Sequence, residues 1–212
     1  MFLTELSRKI LLSLAVVLIS VNCFATSVQD ECPGAPPVAN GSPSIRVTTS
    51  EELRDAIHGL TSGGRRHIVI APGEYRVLQG AYPIHTSNVT IRGETGLRDD
   101  VILRGAGMTG RTRHVFSISA PYFTLRDLTL GWVAHHAVQV RGEHDADYAR
   151  LMNLRFVNTR EQMLKVSADH SMPDGEKVGA DHGVVSHSVF EFPSGVAQQH
   201  YTGGIDAHFA AN

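Results

Sequence analysis

Apolar residues recur along this chain at two spacings. Leu53, Ala56, Ile57 and Leu60 fall on one face at helical intervals. Ahead of them, Thr49-Ser-Glu-Glu52 forms a capping box, in which the Thr49 hydroxyl takes the Glu52 amide and the Glu52 side chain reaches back. Gly59 and then Gly63-Gly64 end the predicted helix. Elsewhere apolar and polar residues alternate in short runs closed by glycine, proline or polar turns, which is the pattern of strands. Such runs are Ile45–Val47, His67–Ala71 with a resumption at Tyr75, Asn88–Arg92, Val101–Arg104 and His114–Ile118. Gly183–Phe190 and Gly203–His208 follow nearer the end.

One stretch, Tyr122–Ser167, holds a unit written twice. Leu125–Leu130 and Ala137–Val140 return as Leu151–Phe156 and Met163–Val166, at a constant offset of 26 residues. Asp127 thereby matches Asn153, and Gln139 matches Lys165. The next copy comes 34 residues later, where His187 and Phe190 follow Asn153 and Phe156. The polar segment Asp169–Asp181 fills the longer interval as a loop on one edge. A fixed period in this range predicts stacked units, each burying its apolar side against the next. With strands as the repeated pieces, the expected fold is all-β: a parallel β-helix in which the single amphipathic helix caps the N-terminal end. No capping signal precedes Asn212, which predicts a sequence truncated at its C-terminus.

Residues 1–25 read as a secretory signal peptide. Arg8 and Lys9 are its basic part, Ile10–Val21 its apolar part, and small residues precede the cleavage site expected after Ala25 or Ser27. The apolar run is short for a membrane span, so no integral membrane segment is expected after cleavage. The expected location is secreted or periplasmic, with a lipid anchor on Cys23 as the lesser alternative. Residues 26–44, rich in proline, glycine and serine, form a linker, and residues 45–212 the β-helix domain. Cleavage leaves Cys32 without a partner for an intramolecular disulfide. A hydrophobic share of 42% and a charged share of 19% suit a globular chain. The net charge of -2 gives no footprint for a polyanion, so nucleic acid is not an expected partner. Phosphate-binding glycine loops are absent.

The capped helix, Ile68-Val-Ile-Ala-Pro-Gly-Glu-Tyr75 and Val89-Thr-Ile-Arg-Gly93 together resemble the opening of right-handed parallel β-helix proteins of the pectate lyase superfamily. The repeated Leu125-Arg-Asp-Leu128 and Leu151-Met-Asn-Leu154 resemble the rungs of that fold. Asp127 and Asn153 take the turn position where such proteins stack polar side chains. Glu161–Val166 and Val184–Glu191 are similar to a stretch of the alginate lyase and chondroitinase B group. That resemblance implies β-elimination on an acidic polysaccharide, with calcium on acidic ligands, a lysine base and an arginine acid. The later Gly-Glu and Lys-Ser elements of that group are not evident here, and Gly204–His208 stands in their place.

Lys165 is the first candidate catalytic residue. It lies mid-strand on the face opposite Leu164 and Val166, and lysine can release a proton where arginine effectively cannot. In a parallel coil Gln139, Lys165 and Asp206 form one outward polar column. Asp206 and His208, two residues apart, face the same way, and His208 can act as base or acid near neutral pH. Glu161 is the candidate metal ligand, with calcium as the implied ion. Gln139, Trp132 and Arg160 are the candidate substrate-binding residues: an amide, an aromatic face for a sugar ring and a cation for its carboxylate. Nine of the 12 histidines lie from His114 onward. The adjacent pair His135-His136 is expected to point in different directions and so to make no zinc site. The alternative function is a non-catalytic surface or adhesion protein that binds glycans.

Overall fold

The computed structural model describes residues 44–61, 64, 66–169, 171, 173, 178–193 and 203–208. The expected signal peptide, almost all of the linker, both cysteines and Gly63 lie outside these residues. Among the described residues the fold is all-β apart from one α-helix and a short 3-10 turn at Gly142–His144, and every strand pairing is parallel. It is β-helix-like, because the chain visits three faces in a fixed order and then repeats.

The first face stacks β1 (Ser44–Val47), β2 (His67–Ile70), β5 (Thr90–Gly93), the start of β8 (Thr124–Val133), the start of β10 (Arg150–Thr159) and β12 (Val184–Ser186). On the second, β3 (Gly73–Arg76) and β6 (Val101–Arg104) continue into the end of β8, the end of β10 and β13 (Val189–Glu191). The third holds β4 (Tyr82–Ile84), β7 (Phe116–Ile118), β9 (Val138–Arg141), β11 (Leu164–Ser167) and β14 (Ile205–Ala207). The first two faces are joined into one nine-stranded sheet, and the third is a separate five-stranded one.

The duplication sets the register. Leu125 pairs with Leu151, Leu130 with Phe156, and Phe156 with Phe190. Their side chains stack inside, where the Phe156 and Phe190 rings lie parallel with centroids 4.6 Å apart. Leu125–Leu130 and Leu151–Phe156 are not the straight strands that alternation predicts. Each bends at a left-handed residue, Asp127 (φ 62°) or Asn153 (φ 50°), a conformation that Asp and Asn tolerate better than most residues. There the Asn153 amide donates to Asp127 Oδ1 at 2.9 Å, so the polar ladder is a real contact. His187 (φ 50°) makes the same corner one turn on, and the expected single strand Gly183–Phe190 is therefore split into β12 and β13. Beneath Asp127, Gly93 is obligatory, since a Cβ there would stand 2.1 Å from the Asp127 carbonyl oxygen.

The helix α1 (Ser50–His58) starts as read, with the Thr49 hydroxyl accepting the Glu52 amide at 3.1 Å. The Glu52 carboxylate reaches back one residue further than a simple box requires, to the Thr48 amide (2.7 Å) and hydroxyl (2.9 Å). Leu53 and Ile57 are buried in the same apolar core as the strands. No described helix is long and apolar enough to cross a membrane.

Candidate functional site

Alternation on the third face sends Val138, Val140 and Leu164 into the core and turns the residues between them outward. Parallel register then stacks equal positions, so Ser117, Gln139, Lys165 and Asp206 form one column across β7, β9, β11 and β14. Arg141 and Ser167 form the next column, and the His208 amide donates to the Val166 carbonyl at 3.0 Å, which seats His208 beside them.

At the end of these columns Lys165, Asp206 and His208 meet. The Lys165 ammonium donates to Asp206 Oδ2 at 2.6 Å, and His208 Nε2 lies 3.0 Å from the other oxygen, Oδ1. The Lys165 side chain is 18% exposed, Asp206 29% and His208 38%, so the group opens outward rather than into the coil. The hydrogen bond from Lys165 holds the Asp206 carboxyl below the usual carboxylate range. Next along the column, Gln139 Nε2 donates to Ser167 Oγ at 3.4 Å, and Ser167 Oγ donates to Glu143 Oε2 at 2.7 Å. Glu143 also accepts from Arg141 Nε at 3.0 Å. The link through Arg141, Glu143 and Ser167 was not legible in the sequence, because Glu143 reaches the face from the turn after β9.

A second cluster lies where the chain approaches these strands. Glu161 stands between two imidazoles, with Oε1 2.9 Å from His135 Nδ1 and Oε2 3.3 Å from His136 Nε2. The adjacent histidines thus converge on one carboxylate, contrary to the expectation that they diverge, because the carboxylate sits between their two directions. His114, one turn below, stacks on His136 with centroids 5.4 Å apart. Burial, reinforced by the neighbouring histidines, pushes the His114 imidazole down to about 4, and burial also lowers His136. The offset of 26 that places Glu161 over His135 was the available signal for this cluster.

Calcium does not fit here. It takes six to eight oxygen ligands, whereas the Glu161 oxygens face imidazole nitrogens. Among the described residues no group of three or more His, Cys, Asp or Glu could hold a metal ion.

The remaining candidates lie apart from Lys165. Trp132 is at the far end of β8, at the corner after the second face, with the Arg104 guanidinium 3.7 Å from its ring centroid. Arg160 is exposed just beyond β10, and its amide donates to the Val133 carbonyl at 3.2 Å. Tyr148 is enclosed between the Tyr122 and His182 rings, at 4.7 and 4.8 Å.

No protein-family model matches the chain, and no curated protein matches it. Among solved structures it is similar to an alginate lyase from Paenibacillus sp. str. FPU-7, with a TM-score of 0.48 and 17% identity. The similarity covers 76% of this chain and 63% of that one, so the chain spans less than two thirds of that structure.

Proposed function

We propose that the outer surface of the third face binds an acidic polysaccharide and cleaves it by β-elimination. One observation carries the reading: a single carboxylate, Asp206, holds an ammonium on one oxygen and an imidazole on the other. Elimination next to a uronate carboxylate needs a base at C5 and positive charge at the carboxylate, where negative charge accumulates in the transition state. Asp206 accepting from His208 Nε2–H fixes the tautomer with its lone pair on Nδ1, the arrangement by which a carboxylate orients a basic imidazole. Lys165 has three donors. With one committed to Asp206, the others are available to a sugar carboxylate, which makes Lys165 the charge-neutralising group and His208 the base. His208 takes the C5 proton, the C4–O bond opens to leave a C4=C5 double bond, and the leaving oxygen takes a proton from solvent water, to which the imidazolium returns its own. Gln139, beside Lys165 in the column, offers its amide to sugar hydroxyls. Paired carboxylates for hydrolysis are not what this column supplies.

We further propose that the chain is a right-handed coil of the pectate lyase type, exported, with α1 as its N-terminal cap. The burial of Leu53 and Ile57 in the strand core supports the cap. A binding-only function is favoured by the fact that Lys165 is already engaged by Asp206 in the resting structure. The two are separated by incubating the full chain with polyguluronate, polymannuronate and polygalacturonate and following the absorbance of the unsaturated product. Product that disappears in Lys165→Ala and in His208→Ala supports elimination. Binding without product from any of the three assigns the face to glycan binding alone.

A further inference from the structure

On the second face, away from the Lys165 group, a cleft lies over the ends of β3, β6 and β8. Its lining includes Glu74, Arg76, Arg104, Gly107 and Trp132. Arg76, Arg104 and Gly131 are register partners, so two arginines stand on neighbouring strands with the indole just past them. Arg104 lies against the Trp132 ring. Its Nε is 3.1 Å from Glu74 Oε1, close enough for attraction between the charges, yet this buried Nε–H has no hydrogen-bond acceptor. Arg76 is exposed, and among the described residues its guanidinium has neither a hydrogen bond nor an ion pair. Glu74 is the one carboxylate of the lining set against two guanidinium groups, so the cleft carries net positive charge on a chain whose net charge is -2.

The backbone around the indole is built for close approach. A Cβ at Gly105 would stand 2.5 Å from the Trp132 carbonyl oxygen, while Gly107 (φ +97°) has open space where its Cβ would be. Its amide donates to the Trp132 carbonyl at 2.7 Å. Trp132 itself is left-handed (φ 54°), and the same corner one turn on is occupied by Asn158 (φ 51°). Asparagine accepts that conformation readily, whereas for a bulky residue it is an outlier. A strained corner that carries a tryptophan where asparagine would serve is an observation from which function is reasonably sought.

We infer that this cleft is a second binding site, for a carboxylated sugar ring, separate from the Lys165–Asp206–His208 group. The indole offers an apolar surface to the face of a pyranose. Arg76 supplies the exposed planar donors that match a carboxylate, and Arg104, held by Glu74, adds positive charge beside the indole. The site does not depend on elimination at the third face, because the two share no residue.

Trp132 is the only tryptophan in the chain, so its emission reports on this cleft alone. The full-length protein is titrated with hexagalacturonate, and separately with cellohexaose and with acetate at equal carboxylate concentration. The expected result is a saturable change in emission with hexagalacturonate only. Arg76→Ala should weaken it at least 5-fold, and Lys165→Ala should leave it unchanged. An unchanged emission, an equal response to cellohexaose or acetate, or full affinity in Arg76→Ala would each overturn the proposal. Loss of the response in Lys165→Ala would also overturn it, since the signal would then originate at the third face. A protein that makes no unsaturated product yet shows the expected titration contradicts the elimination reading and leaves this site standing.

Discussion

On the third face, Phe116, Val138 and Leu164 point inward and are buried, while Ser117, Gln139 and Lys165, one residue further along the same strands, point outward. The inward column stays apolar from turn to turn because each side chain packs on its equivalents above and below. The outward column changes from hydroxyl to amide to ammonium to carboxylate at no cost to that packing. Stacking therefore separates the two demands on the sequence: inward positions carry stability, and outward positions carry chemistry. The histidine cluster tests this division. His114 and His136 are polar residues near the approach to the face that have been largely withdrawn from solvent, so the charged imidazolium costs stability there.

The largest effect should come from the inward column. Leu164→Ala removes a buried side chain and should cost about 2–5 kcal/mol, read as a lowered urea midpoint with an unchanged slope. The Lys165 partners should remain near one another in the folded fraction.

A second, pH-dependent effect should follow from His114. Its folded pKa of about 4 lies below the value of about 6.5 expected in the unfolded chain. Between these values the unfolded chain holds a proton that the folded chain does not, so stability falls as pH drops from about 6.5 to about 4 and then levels off with respect to this group. His136, also lowered, adds to the same limb. Asp206 acts at lower pH with the same sign: its folded pKa is depressed, so its contribution is present above about pH 3.9 and is lost as pH falls further. His114→Gln should flatten the upper limb in thermal melts taken across this range, with the Asp206 limb unchanged.

The smallest stability effect should be that of Lys165→Met. A partly exposed ion pair contributes less than about 1 kcal/mol, so the melting temperature should barely move while any activity is lost. A large drop in stability would make the pair a structural element and erase the contrast between the columns.

The stacking itself was legible in the sequence. The offset of 26 gave the pairing of Leu125 with Leu151 and of Gln139 with Lys165, and the longer offset gave Phe156 over Phe190. Column logic also placed Asp206 beside Lys165. The corners at Asp127 and Asn153 were legible only through the resemblance to β-helix rungs, because alternation alone treats both as ordinary outward residues; their left-handed backbone shows the bend. The strand β4 was missed, since Tyr82-Pro-Ile84 is too short to establish alternation. Trp132 could be named as a sugar-facing aromatic but not assigned to a face, which depends on where β8 bends. The convergence of His135 and His136 on Glu161 depends on a contact between turns that adjacency in sequence hides.

The central claim is that Asp206 organises Lys165 and His208 into a working group, and Asp206→Asn tests it most directly. The measurement is the initial rate of double-bond formation on the polyuronate that the wild-type protein cleaves, with circular dichroism to verify the fold. An asparagine keeps the shape but removes the charge that fixes the imidazole and holds the ammonium. The rate should fall by at least about 100-fold, the lower bound for loss of positioned acid–base catalysis, with the fold intact. An unchanged rate in Asp206→Asn, or no product from the wild-type protein on any of the three polyuronates, would contradict the account.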